Sequence, residues 1–151
     1  MIVRAGRPEE RAGLEDLQRR ALLMWQEYRS FLLGNPDAIA VSLASLLEKR
    51  VWVAQIQEQA VGFSVLLLRG DICDLDGLFV EPGWWGRGIG RGLVADAVAR
   101  AREWGALAVE TVADPRAEGF YARLGFAPTA MEQTPFGPAN RMRLLAFPAQ
   151  S

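Results

Sequence analysis

The sequence predicts a three-layer α/β or α+β domain in which helices pack on a mixed β-sheet. Two observations carry this expectation. Two early strand patterns separated by a two-residue turn indicate a β-hairpin, and a later strand–helix–strand segment indicates a β-α-β unit. The chain has 151 residues, of which 50% are apolar, so we expect one domain over residues 1–151 with a sizeable core.

The elements before the hairpin are a short strand and two helical regions. Residues 1–5 are expected to form the first strand. Pro8 suits a first helical turn and indicates an amphipathic helix that runs to about Trp25. A second helical region is expected within residues 27–49, where a Gly-Asn-Pro-Asp sequence interrupts it.

The remaining elements follow from apolar runs bounded by glycine or turn residues. Strands are expected over residues 51–57, 60–69, 74–80, 106–112 and 141–147. Helical periodicity from residue 91 ends at Gly105, and a shorter helix from residue 117 ends at Gly125. Residues 134–141 are rich in proline and glycine, so we expect a loop there.

Composition and charge exclude several classes of function. The formal net charge of −1 leaves no large positive field, which argues against a general nucleic-acid binder. The absence of histidine excludes Ser-His, Cys-His and histidine–metal chemistry. Cys73 is the only cysteine, so we expect a small buried side chain, no intramolecular disulfide and no metal site. No segment reaches the roughly 18 apolar residues of a membrane span, and no signal core is present, so we expect a cytoplasmic protein.

A glycine-rich stretch at residues 81–93 joins a strand to a strong helix and is the clearest functional signal. The first backbone N–H groups of a helix have no partner within the helix, and the helix dipole favours an anion beside them. Glycine lets the chain curl and lets a phosphate approach the backbone. Arg87 and Arg91 add positive charge, so the stretch predicts a phosphate or pyrophosphate site.

Sequence patterns narrow the choice of phosphate ligand. The P-loop pattern requires a lysine, and the only lysine, Lys49, lies far upstream. The dinucleotide pattern G-x-G-x-x-A fits from Gly90 to Ala95, with Glu110 about twenty residues on, but it begins inside the expected helix. The pyrophosphate of coenzyme A needs the same kind of backbone cradle.

Two segments in order resemble the GNAT superfamily of N-acetyltransferases. The first is LFVEPGWWGRGIGRGLVADAV, in which Gly88-Ile89-Gly90 matches the second half of the family pattern (Arg/Gln)-x-x-Gly-x-(Gly/Ala). The second is FYARLGF, which begins at Phe120-Tyr121. The resemblance covers roughly residues 74–127 and implies a three-layer sandwich whose mixed central sheet has about six to seven strands flanked by helices.

The sequence departs from the family pattern at two positions. Trp85 stands where Arg or Gln is usual, and Asp114 replaces an Asn that usually precedes the tyrosine by seven residues. The resemblance implies acetyl-CoA as co-substrate. The residues implied as its binding residues, several through backbone groups, are Phe79, Val80, Arg87, Gly88, Ile89, Gly90, Arg91, Gly92 and Asp114.

The resemblance also implies direct attack of an amine on the thioester, without an acyl-enzyme. A backbone amide at or beside Val80 would polarise the thioester carbonyl. Tyr121 is the expected general acid, because a phenol with a pKa near ~10 can protonate a thiolate whose pKa is near ~8.5. Asp76 is the favoured general base and Asp74 the second choice. Glu110 and water remain alternatives.

The acceptor is open: a small-molecule amine, a peptide N-terminus and a protein lysine all fit. Trp25 and Trp52 are expected in the core. Trp84 is expected beside the cofactor site, where lining the acceptor pocket and packing of the fold are weighed equally. The loop at 134–141 is expected near the acceptor. The alternative function is a non-catalytic acyl-CoA-binding or sensing domain of the same fold. The oligomeric state is open, and a homodimer is compatible with the sequence.

Overall fold

The computed structural model describes residues 1–147. Seven strands form one mixed sheet with helices flanking it, as expected, in the order β1-β2-β3-β4-β5-β7-β6. The strands are β1 (Ile2–Ala5), β2 (Val51–Ile56), β3 (Gln59–Arg69), β4 (Ile72–Val80), β5 (Ala108–Ala113), β6 (Ala127–Thr134) and β7 (Gly137–Leu145). The helices are α1 (Arg11–Leu22), α2 (Gln26–Gly34), α3 (Leu43–Leu47), α4 (Ile89–Glu103) and α5 (Glu118–Arg123), with 3-10 turns at Pro8–Glu10 and Pro82–Trp84.

The pairing of the strands confirms both observations from which the fold class was predicted. β2 and β3 form the antiparallel hairpin, and β1 pairs antiparallel with β2. β4, α4 and β5 form the β-α-β unit, with β4 and β5 parallel. β7 lies between β5 and β6 and is antiparallel to both.

Two expected elements were wrong in part. The first helix ends at Leu22 rather than near Trp25, which instead precedes α2 as its cap residue. Residues 134–141 do not form a loop. They hold the end of β6, a tight turn and the start of β7, in which Thr134 pairs with Gly137. β6 was missed because most of its side chains are exposed, so the strand shows no apolar alternation.

The described chain divides into two compact units, which are described separately. The first comprises residues 1–65 and 77–93. Its larger hydrophobic cluster joins Leu14 and Leu17 of α1 to Phe63 of β3, with Phe79 packed against it. A second cluster joins Ile89 and Leu93 of α4 to Ala54 and Val61 of the hairpin, with Leu78, Val80 and Trp84 against it. Phe79 and its neighbours Leu78 and Val80 therefore contact different clusters, as alternation along a strand requires.

The second unit comprises residues 66–76 and the described residues from Val94 onward. Its buried side chains include Cys73, Val109, Tyr121, Phe126 and Met142. Tyr121 packs edge-on against Phe126, with ring centroids 5.3 Å apart. Gly125, which ends α5 as expected, has φ +99°, a backbone conformation that favours glycine. The expectation of one domain over the whole chain stays a prediction.

Within residues 1–147, no helix is both long and apolar enough to cross a bilayer.

Candidate active site

The carboxyl end of β4 is held in the first unit by hydrogen bonds to three other segments. The Trp85 indole N–H donates to the Val80 carbonyl at 2.9 Å, and the Glu81 amide donates to the Val61 carbonyl at 2.9 Å. Arg20 of α1 donates from two nitrogens to the two Glu81 carboxylate oxygens, at 2.7 and 2.8 Å. The backbone that leads from β4 into the glycine-rich stretch is therefore fixed.

The glycines of this stretch have a specific conformational purpose. Gly86 and Gly88 have φ +79° and +83°, on either side of Arg87, and a Cβ added at either would meet no atom within 4 Å. Glycine is therefore needed for the backbone conformation, and the space beside it is open. The Gly88 carbonyl accepts the Gly92 amide at 3.0 Å, which makes this the first bond of α4.

Three amide groups at the start of α4 consequently lack an acceptor within the helix: those of Ile89, Gly90 and Arg91. They follow the open turn at Gly86–Gly88, and the helix dipole favours negative charge at this end. The arrangement suits the phosphate or pyrophosphate expected from the sequence, and its binding here stays a prediction. The residues that would hold it are Arg87, Gly88, Ile89, Gly90, Arg91 and Gly92.

The tryptophans of the stretch have packing roles that the sequence did not reveal. The Arg87 guanidinium lies over the Trp84 ring, 4.8 Å from its centroid, and Trp84 packs against the cluster around Ile89. Trp85 stacks on Trp25 with ring centroids 5.9 Å apart. The expectation that Trp25 lies in the core was wrong, since the residue is 38% exposed, whereas Trp52 is buried as expected.

Tyr121 lies in the second unit, where it is 6% exposed. The nearby Thr111 hydroxyl donates to the Leu75 carbonyl at 3.0 Å. Burial raises the pKa of Tyr121 to about 12, and the nearby Thr111 side chain offsets only part of that rise. Tyr121 therefore keeps its proton throughout the neutral and moderately alkaline range, and its raised pKa makes it a weaker acid than the free phenol assumed in the sequence analysis.

The parallel ladder between β4 and β5 is short, and it ends close to this tyrosine. It comprises three residue pairs, the last of which is Asp74 opposite Glu110. The next residues along the two strands are Leu75 and Thr111, which the Thr111 hydroxyl bridges. Thr111 was not predicted as a site residue. Its signal in the sequence is a hydroxyl within an otherwise mostly apolar strand, where a buried polar group requires a partner.

Asp74 and Glu110 belong to a network of ion pairs. Glu110, whose side chain is 3% exposed, accepts hydrogen bonds from Arg69, Arg141 and Arg143. Arg69 and Arg141 also bind Asp74, at 2.8 and 3.1 Å. Guanidinium groups thus occupy the oxygens of both carboxylates.

Glu110 and Thr111 are adjacent in β5, so their side chains point to opposite faces of the sheet. The Glu110 carboxylate is therefore on the face opposite the Thr111 hydroxyl. Asp76, the favoured base of the sequence analysis, is exposed. An amine in solution can reach its carboxylate.

Asp114 shapes the turn that leads into α5. Its carboxylate accepts the Arg116 amide at 2.9 Å and pairs with the Arg116 guanidinium at 3.1 Å, while its carbonyl accepts the Ala117 amide at 2.8 Å. The carboxylate therefore performs the turn-forming role that Asx residues often have. A direct contact to a ligand stays a prediction.

The structure thus brings the predicted residues together in two groups. Phe79, Val80 and the residues 87–92 lie in the first unit, and Asp74, Asp76, Asp114 and Tyr121 lie in the second. In residues 1–147, no cluster of three or more carboxylate or cysteine side chains is arranged to hold a metal ion.

Comparison with known proteins identifies the family to which this fold belongs. A family model described as an acetyltransferase (GNAT) domain matches residues 48–128. The chain is 33% identical over 134 residues to the peptidyl-lysine N-acetyltransferase YjaB of Salmonella typhimurium, and the match covers 87% of this chain and 86% of that protein. It is 32% identical over 120 residues to an uncharacterized N-acetyltransferase of Mycobacterium tuberculosis, covering 65% of this chain and 76% of that one.

Solved structures share the fold at lower sequence identity. An aminoglycoside 6′-N-acetyltransferase complexed with coenzyme A has a TM-score of 0.78 with this chain, at 19% identity over the full length of both chains. The PaiA N-acetyltransferase of Thermoplasma acidophilum, also in complex with coenzyme A, has a TM-score of 0.77 at 17% identity, covering 94% of this chain and 96% of that one.

The chain belongs to the GNAT family of acetyltransferases. The resemblance drawn from the two sequence segments is therefore confirmed, together with the three-layer fold and the prediction of an acetyltransferase.

Proposed function

We propose that this protein transfers the acetyl group of acetyl-CoA directly to a primary amine, with Tyr121 as general acid. The observation that carries the proposal is the pair of left-handed glycines, Gly86 and Gly88, ahead of the α4 N-terminus. They leave an open turn beside unpaired amides, which suits the pyrophosphate of coenzyme A. The two GNAT structures above, which hold coenzyme A, support the same ligand.

Direct transfer is supported by the lack of a suitable nucleophile for an acyl-enzyme. The sequence has no histidine, and its only cysteine, Cys73, is 0% exposed. Burial raises the pKa of the Cys73 thiol to about 11, with a smaller contribution from the nearby charge of Asp74. A buried thiol that keeps its proton is a poor nucleophile.

Each reacting group then has a named partner. The backbone at Val80 polarises the thioester carbonyl, and Tyr121 gives its proton to the departing thiolate. Asp76 is the proposed base for the attacking amine, directly or through water. Asp74 is the weaker choice, because Arg69 and Arg141 bind its carboxylate.

The acceptor we propose is the side-chain amine of a lysine in a protein or peptide. The support is the 33% identity to the peptidyl-lysine N-acetyltransferase across 87% of this chain. A lysine amine has a pKa near ~10.4 in water, so it must lose a proton before it attacks, which is the role assigned to Asp76.

Two peptides distinguish acetylation of a lysine side chain from acetylation of an N-terminal amine. The first has a blocked N-terminus and one lysine, and the second has a free N-terminus and arginine in place of lysine. Release of coenzyme A with the first peptide alone supports the proposal. Release with the second alone, or only with an aminoglycoside, contradicts the assigned acceptor.

The same assay tests direct transfer. Initial rates at varied acetyl-CoA and peptide concentrations should give intersecting double-reciprocal lines, and parallel lines would indicate an acyl-enzyme. The mass of the intact protein after incubation with acetyl-CoA alone gives an independent reading. A Lys49→Arg variant controls for acetylation of the only lysine. Acetyl found on Cys73 would contradict direct transfer.

A further inference from the structure

The indole N–H of Trp85 donates to the carbonyl of Val80, five residues earlier in the chain, at 2.9 Å. The segment between them folds back through the 3-10 turn. The Trp84 amide donates to the Glu81 carbonyl at 2.8 Å, and the Trp85 amide donates to the Pro82 carbonyl at 3.2 Å. Three successive carbonyls at the end of β4 therefore each have a donor, and Trp85 supplies two of the three.

The peptide group between Val80 and Glu81 is held at both of its polar atoms. Its oxygen accepts the Trp85 indole N–H, and its N–H donates to the Val61 carbonyl at 2.9 Å. The Val80 side chain packs against the cluster around Ile89. Because its carbonyl, the amide that follows it and its side chain are all held, Val80 presents its own N–H in a fixed direction.

These bonds also narrow the choice of the amide that polarises the thioester carbonyl. The family resemblance implies an amide at or beside Val80. The Glu81 amide already donates to the Val61 carbonyl, and the Glu81 carboxylate already accepts two hydrogen bonds from Arg20. The structure therefore favours the Val80 amide over that of Glu81.

We propose that Trp85 is a positioning residue for acetyl transfer, whose indole N–H holds the Val80 carbonyl and thereby directs the Val80 amide at the thioester oxygen. The inference rests on the proposed function, in which that amide polarises the thioester. Negative charge grows on the thioester oxygen as the amine attacks, so the alignment of the donor matters most in the transition state.

The Trp85 ring is itself held by stacking. Trp25, just before α2, lies against it with ring centroids 5.9 Å apart and ring planes 21° apart. Trp85 is 40% exposed, so water can replace the indole at the Val80 carbonyl when the N–H is removed. Water satisfies the carbonyl without fixing its direction. Removal of the N–H should therefore disturb the alignment of Val80 more than it disturbs folding.

The test removes the N–H of Trp85 and keeps an aromatic ring. Trp85→Phe does this approximately, and replacement of Trp85 by benzothienylalanine does it with nearly the shape of tryptophan. We expect both changes to lower kcat roughly tenfold, which is less than the roughly 10²–10³-fold lost when an oxyanion donor is removed outright. The Kd of free coenzyme A should be unchanged, because free coenzyme A has no thioester carbonyl. Where W85F fails to fold, the benzothienylalanine protein takes its place.

Trp25→Phe is the matched control, because it keeps a ring against Trp85 and leaves the indole N–H in place. We expect W25F to retain kcat within a few-fold. Equal losses of kcat in W85F and W25F would assign the effect to packing of the two rings, and would overturn the inference.

The carbonyl stretch of bound acetyl-CoA distinguishes positioning from a merely structural role. Polarisation of the thioester lowers the stretching frequency, which isotope-edited infrared spectroscopy measures with a labelled acetyl carbonyl, so we expect a higher frequency in W85F than in the wild type. An unshifted stretch in W85F, with or without a loss of kcat, would overturn this inference alone. A wild-type frequency no lower than that of acetyl-CoA in water would overturn the proposed polarisation by Val80 as well.

Discussion

Replacing Gly88 by alanine tests whether the glycine-rich stretch is shaped by backbone conformation. Gly88 has φ +83°, and an added Cβ would meet no atom within 4 Å. The substitution therefore causes no steric clash with neighbouring side chains, and its cost is that of holding an L-residue in the left-handed region. That cost is roughly 1–2 kcal/mol, and we expect the free energy of unfolding of G88A to fall by this amount.

Gly83→Ala is the matched control in the same stretch. Gly83 lies in the 3-10 turn before the tryptophans, and a Cβ there would also meet nothing within 4 Å. Its φ is outside the left-handed range, so alanine should change stability by less than about 0.5 kcal/mol. Urea denaturation of both variants and the wild type, followed by circular dichroism, measures the difference.

The same two variants show whether the backbone conformation at Gly88 also affects the binding of acetyl-CoA. If the chain relieves the strain at Gly88 by turning away, the amides at the start of α4 lose their alignment. Losing one charge-assisted hydrogen bond of about 1.5–3 kcal/mol would weaken acetyl-CoA binding by roughly tenfold to a hundredfold. Isothermal titration with acetyl-CoA gives the Kd of each variant. Equal stability and equal Kd in G88A and G83A would refute the reasoning.

Three further predictions concern other contacts of the structure. Because burial raises the pKa of Tyr121 from 10.0 to about 12, the folded state should lose roughly 3 kcal/mol of stability as the pH rises from 10 through 12. Urea denaturation between pH 9 and 12 should therefore show a shallower loss of stability in Tyr121→Phe than in the wild type, and parallel curves would contradict this. Glu110→Gln removes the buried negative charge that three arginines bind, so we expect it to lower the free energy of unfolding by about 2–3 kcal/mol. Glu132 has a side chain that is 40% exposed, so we expect Glu132→Gln to lower the free energy of unfolding by less than about 1 kcal/mol. Equal losses in thermal denaturation would show that burial of Glu110 is unimportant. Trp85→Phe keeps an aromatic ring but removes the donor to the Val80 carbonyl, so we expect the free energy of unfolding to fall by about 1 kcal/mol. An unchanged free energy of unfolding would show that this hydrogen bond adds nothing to stability.

The elements with strong local patterns could be predicted from the sequence. The glycines before α4, and Gly105 after it, bracket a helical apolar period, so both ends of that helix were located within a few residues. The hairpin of β2 and β3 was predicted within one residue at its turn. Local propensity and burial agree in these segments, which is why the sequence alone is informative.

Other features depend on contacts between segments far apart in the chain. β6 has mostly exposed side chains, so its strand conformation depends on pairing with β7 rather than on its own pattern. The stacking of Trp25 on Trp85 joins residues sixty positions apart, and no periodicity in either segment indicates it. The bond from Thr111 to Leu75 likewise depends on where the parallel ladder ends.

The most direct test of the central claim is the thermal unfolding midpoint with and without acetyl-CoA, with ATP and NAD as controls. Acetyl-CoA at about 100 times its Kd should add roughly 2.7 kcal/mol to the stability of the folded state, which raises the midpoint by roughly 5–10 °C for a chain of this size. A rise with acetyl-CoA and none of comparable size with ATP or NAD is the predicted result. No rise with acetyl-CoA, or a larger one with ATP or NAD, would contradict the assignment of the glycine-rich stretch to coenzyme A.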